Sequence, residues 1–95
     1  MYRHIVLFKI KEECKPEIPE LIKAFLGMKG RIEGLVDLWS GADFLHSPRS
    51  YDLALVTVFD SKEAFEAYPT HPVHLPVKKH MHEVMECSVA CDFEY

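Results

Sequence analysis

Ninety-five residues make one domain, spanning 1–95, and 48% hydrophobic with 27% charged side chains is the balance of a folded chain. Fifteen acidic residues against eleven basic ones leave a net charge of −4, without the basic face that would neutralise phosphates, so no nucleic acid partner is expected. No apolar run is long enough to span a bilayer. The first ten residues show neither the charged nor the apolar region of a leader, so a cytoplasmic protein with no membrane partner is expected.

Tyr2 to Lys11 reads as a strand with Tyr2, His4, Val6, Phe8 and Ile10 on one face and Ile5 and Leu7 on the other. Both faces are apolar at its centre, which predicts cover on both sides. Pro16 to Lys29 carries Ile18, Leu21, Ile22, Phe25 and Met28 at helical spacing, with Pro16 and Pro19 in its first turns and Gly27, Gly30 and Gly34 beyond. Leu35 to Gly41 is a second strand, with Val36 and Leu38 opposite Leu35 and Trp39. Asp43 to Ser50 is a connecting loop.

Tyr51 to Phe59 is a central strand with Leu53, Leu55 and Phe59 on one face and Ala54, Val56 and Val58 on the other. Asp60 or Ser61 starts a short helix with Ala64, Phe65 and Tyr68 inward. Pro69 and Pro72 interrupt it, and a further helix reaches about Met85 with Val77, Met81, Val84 and Met85 inward. Alternation of Cys87, Val89, Cys91, Phe93 and Tyr95 with Ser88, Ala90, Asp92 and Glu94 makes a last strand.

The order βαββαβ predicts an α+β fold: a four-stranded antiparallel sheet with both helices on one face. Helices cover only that face, yet the first and third strands are apolar on both. A homodimer with two sheets facing each other is therefore expected, burying about 1,000 Å² or more.

Cys14, Cys87 and Cys91 form no C-x-x-C pair and are expected to be reduced. Cys87 and Cys91, four apart on a strand, hold their α-carbons about 13 Å apart, too far to share a tetrahedral metal. All three read as small buried hydrophobes.

Chemistry concentrates in Tyr68-Pro69-Thr70-His71-Pro72-Val73-His74-Leu75-Pro76 and the following Lys78-Lys79-His80-Met81-His82, which hold four of the six histidines. His74 sits at a helix start over the sheet, where His4 and the Tyr68 hydroxyl can meet it. The three are the candidate catalytic group, with Val6, Phe8, Leu53, Leu55, Phe65 and Val77 as the pocket wall. His71 is counted with the ligand-binding residues, its ring held by the flanking prolines. Such a pocket suits a small, largely apolar molecule with a carbonyl or phenol group. A neutral His74 can take a proton next to a carbonyl while Tyr68 donates to the developing enolate.

The competing account makes His4 and His74 structural histidines with satisfied nitrogens and Tyr68 a core ring. His71-x-x-His74 lacks an acid or cysteine at a metal-binding spacing, so no metal is expected; His80 and His82 read as solvated. An enzyme should show a cavity where His4, Tyr68 and His74 converge, a binder a cavity without convergence, and a structural protein no cavity.

His4-Ile5-Val6-Leu7-Phe8-Lys9, Tyr51 to Phe59 with Asp60-Ser61, and Tyr68-x-x-His71-Pro72-x-His74 together resemble the stress-responsive dimeric α/β-barrel domain family, across nearly the whole chain. That resemblance implies a ferredoxin-like monomer and a homodimeric α+β barrel, in a family of mostly unknown function. One plant branch is a polyketide cyclase that works without metal or organic cofactor. Its catalytic tyrosine and histidine fall on Tyr68 and His74, and its strand-one histidine on His4. Leu53 stands where that cyclase has another pocket histidine, so the resemblance implies the pocket rather than that cyclisation. Related dimeric barrels include haem-degrading monooxygenases, which suggests a further reading of Phe8, Trp39 and Phe59 as a haem pocket. Aromatics at strand spacing are more often plain core. No cofactor is expected.

Overall fold

Strand β1 (Tyr2–Ile10) runs through the middle of the sheet in the computed structural model, which describes residues 1–95. A 3₁₀ turn (Glu12–Glu17) leads into helix α1 (Ile18–Leu26), then β2 (Leu35–Ala42) and β3 (Leu53–Phe59). Helix α2 (Lys62–Ala67), a 3₁₀ turn (Tyr68–Thr70), α3 (His74–Val84) and β4 (Met85–Glu94) follow. The sheet order is β2-β3-β1-β4, antiparallel throughout, which is the ferredoxin-like arrangement.

Alternation sorts β1 as its sequence demands. Val6, Phe8 and Ile10 are buried toward the helices, against Leu53, Leu55 and Phe59 of β3, Leu21 and Phe25 of α1, and Met81 and Val84 of α3. The Phe8 and Phe25 rings stack at 5.6 Å. The other face carries Leu7 opposite Ala54 and Val89, and Ile5 opposite Val56 and Cys91. No helix lies over it, and none of the helices is long and apolar enough to cross a membrane.

Three details depart from the sequence pattern. The first helix does not begin at Pro16: that proline lies in the 3₁₀ turn, and α1 starts at Ile18 with Pro19 in its first turn, because each proline removes a backbone donor. In β2 the register slips between Leu35 and Asp37, a bulge that turns both Leu35 and Leu38 inward and leaves Val36 and Trp39 outside. Trp39 is 53% exposed. Cys87 and Cys91 are not buried hydrophobes in the single chain; on the outward face of edge strand β4 they are exposed, while Cys14 is half-buried, and all three are free thiols.

Gly34 fastens the helical layer to β2. Its φ of +80° is a left-handed conformation, and a Cβ there would lie 2.3 Å from the Ala64 Cβ of α2. That contact seats α2, and thus the turn carrying Tyr68, over the sheet.

Candidate functional site

The Ser61 side chain caps α2 by accepting from the Ala64 N–H at 3.1 Å. The chain then tightens through Tyr68–Thr70, with Pro69 at the start of the turn, and buries the Tyr68 ring. His71, preceding Pro72, takes the extended conformation that a following proline imposes. Its Nδ1 accepts from the Val73 N–H at 3.0 Å, and its carbonyl accepts from the N–H groups of His74 and Leu75 at 2.9 Å each. His71 thereby launches α3 and aims His74.

His74 lies against Tyr68, ring centroids 4.0 Å apart and planes 24° from parallel. His4, from β1, meets the Tyr68 ring edge-on at 6.1 Å. On β4 its cross-strand neighbour is Asp92, whose carboxylate is bonded to His4 Nδ1. A carboxylate only accepts, so Nδ1 carries the proton and a neutral His4 presents Nε2 as an acceptor.

These rings line a cavity of about 130 Å³ between sheet and helices. Val6, Phe8, Leu55 and Phe25 form its apolar wall, and Lys78, Met81 and His82 of α3 line another side with Met85 and Ser88 of β4. An engineered apolar cavity of about 150 Å³ holds benzene, which sets the scale at one small ring. Leu53, Phe65, His71 and Val77 stand outside this lining. Leu53 is deep core, Val77 packs partly buried against the core, and Phe65 meets His4 edge-on at 6.0 Å. The Phe8, Trp39 and Phe59 set does not form one pocket, since Phe8 and Phe59 are core and Trp39 is on the opposite face.

The Tyr68 hydroxyl and His74 Nδ1 are buried without a hydrogen-bond partner. Such atoms are uncommon in a folded chain. Burial pushes the Tyr68 phenol far above its ordinary range, so it is a neutral donor at physiological pH. Burial also lowers His74, aided by the Lys78 charge; the Pro69 and Tyr68 carbonyls pull the other way without bonding Nδ1. A neutral imidazole and a neutral phenol side by side can accept and donate one proton each.

The sequence matches the profile of the stress responsive A/B barrel domain over residues 2–95. The chain belongs to that family. This A/B barrel domain is 33% identical over 78 residues to an uncharacterised protein of Streptomyces coelicolor, covering 78% of the present chain and 79% of the relative. It is likewise 33% identical over 78 residues to the stress-response A/B barrel domain-containing protein HS1 of Arabidopsis thaliana, covering 77% and 70%. Among solved structures, a dimeric ferredoxin-like protein of unknown function from Thermobifida fusca superposes with a TM-score of 0.89 at 28% identity, over 99% of this chain and 90% of the other.

Pattern reading of the A/B barrel sequence passed over Asp92, Lys78 and His82. Asp92 had a signal: with Glu94 it is one of two carboxylates on the inward alternation of the last strand, but only the β1–β4 register puts it opposite His4. Lys78 and His82 follow His74 at four-residue intervals on α3, so one helix face brings all three to the cavity. The two later histidines differ in placement. His80 pairs with Glu17 at 3.0 Å across to the other helical segment, whereas exposed His82 stands at the cavity rim.

Proposed function

We propose that this A/B barrel domain acts as a homodimer and binds a small, largely apolar molecule bearing a carbonyl or phenol oxygen in the cavity between sheet and helices. The observation that carries this reading is the pair of buried, unpartnered atoms, the Tyr68 hydroxyl and His74 Nδ1, beside an apolar cavity. A ligand oxygen that accepts from Tyr68 and bonds His74 relieves a desolvation cost of about 1–3 kcal/mol per orphaned group. The homodimer is supported by the uncovered apolar sheet face and by the dimeric Thermobifida fusca neighbour. Free thiols accord with a reducing cytoplasmic setting.

Titration of the isotope-labelled protein with p-cresol and acetophenone tests the binding. Chemical-shift changes clustered at His4, Tyr68 and His74 are expected; changes scattered over the surface, or none, reject the cavity as the site.

A second reading, favoured by the neutral His74 ring held against a neutral Tyr68, is cofactor-independent proton transfer of the lyase, isomerase or cyclase kind. His74 accepts a proton from the carbon next to a carbonyl, Tyr68 donates a hydrogen bond to the enolate oxygen, and the Asp92–His4 pair orients the second imidazole. Exchange of the acetophenone methyl protons in deuterium oxide reads this step without knowing the natural substrate. Acceleration by the wild type and not by His74→Ala is expected; equal rates with both remove His74 as base.

A further inference from the structure

Lys78 is half-buried at the cavity, one helical turn after His74, and has no counter-ion. Lys15, Lys29 and Lys62 pair with carboxylates, and Lys9 and Lys11 bond backbone carbonyls; Lys23 and Lys79 do neither, but both are exposed and outside the cavity lining. Lys78 has neither kind of contact, and Glu83, the nearby acid on the same helix, forms no ion pair with it. Its ammonium is thus a free counter-charge for an anionic group that enters the cavity. No carboxylate lines the cavity, and Asp92, which touches the lining residue His4, is already held by it. One turn beyond Lys78, His82 adds a protonatable ring at the rim. The helix thus presents imidazole, ammonium and imidazole in a ladder running from the buried Tyr68 end to the open mouth.

We propose that the cavity takes a small monocyclic carboxylic acid, its carboxylate held at the mouth by Lys78 and its phenol or carbonyl oxygen set against Tyr68 and His74. This rests on the binding role assigned above and adds the charge of the ligand. The backbone of α3 rises about 6 Å from His74 to Lys78, a spacing of the same order as that between the two substituents of a para-substituted six-membered ring. The cavity of about 130 Å³ accommodates one ring in its apolar part, leaving the charged group at the rim where it keeps some water.

The test uses 4-hydroxybenzoate and its neutral counterpart 4-hydroxybenzamide, titrated at low ionic strength into the wild type, Lys78→Met and Lys78→Arg. Lys78→Met keeps the apolar stem and removes only the charge. The acid is expected to bind the wild type at least tenfold more tightly than the amide; Lys78→Met should bring the two to equal affinity, and Lys78→Arg should retain the preference. Equal binding of acid and amide by the wild type overturns the anchor while leaving the cavity a binding site. Preference for the acid that survives Lys78→Met also overturns it. Binding of neither compound removes both the anchor and the cavity's role.

Discussion

At Tyr68 the demands of stability and of function oppose each other. Its hydroxyl is buried and unpartnered, whereas its ring packs against Phe59 and His74. Tyr68→Phe keeps the ring and deletes the orphan, so the empty protein should gain about 1 kcal/mol in chemical denaturation. The same change should weaken p-cresol binding by roughly fivefold. A loss of stability would mean that the hydroxyl has a partner in solution. His74 carries the pH dependence. Its folded value lies below its ordinary 6.5 because of burial, so the unfolded chain takes up the proton first as pH falls. The neutral ring's stabilising contribution is complete above the ordinary histidine range and is lost as pH falls through the lowered value. Urea midpoints measured from pH 7 down to pH 5 should therefore fall more in the wild type than in His74→Leu. Proton abstraction, if His74 is the base, should strengthen with pH over the same interval.

Helix α2 and its neighbours show what a sequence can specify about an element and what it cannot. A cap at Asp60 or Ser61 is legible from the sequence before Lys62-Glu63, the structure selects Ser61, and Ser61→Ala should cost about 1 kcal/mol by thermal denaturation. The close approach of Gly34 to Ala64 is not legible, because the two belong to different elements and meet only after β2 and β3 have paired. Gly34→Ala combines a left-handed backbone with a collision, so a loss exceeding that of Ser61→Ala is expected, accompanied by shifts in the Tyr68 and His74 resonances. Strand alternation in β1 announced which residues face the helices, and the four-residue rhythm of α3 contained Lys78 and His82. Alternation failed in β2, where a one-residue bulge reverses the phase. The His4–Asp92 pair was hidden for a related reason: 88 positions separate the two residues, and only strand register joins them.

For the whole molecule, the decisive feature is the bare side of the sheet. Ile5, Leu7, Ala54, Val56 and Val89 form a contiguous apolar surface with Trp39 at its flank. The helical layer is complete on the other side, so the double apolarity of the central strands points beyond the single chain. Leu7→Asp places a charge at the middle of this surface without touching the cavity. Sedimentation should show a dimer for the wild type and an 11.0 kDa species for the variant. A monomeric wild type at micromolar concentration would end the dimer reading.

That bare side also carries Cys91 opposite Ile5 and Cys87 opposite Lys9. If two sheets close over them in the proposed homodimer, these thiols should lose contact with water and regain it when the sheets part. A thiol reagent added to the native protein would then be consumed at a rate set by subunit separation, slowing as protein concentration rises. Through these cysteines, a domain with no spectroscopic cofactor would carry its own chemical stopwatch for partner exchange.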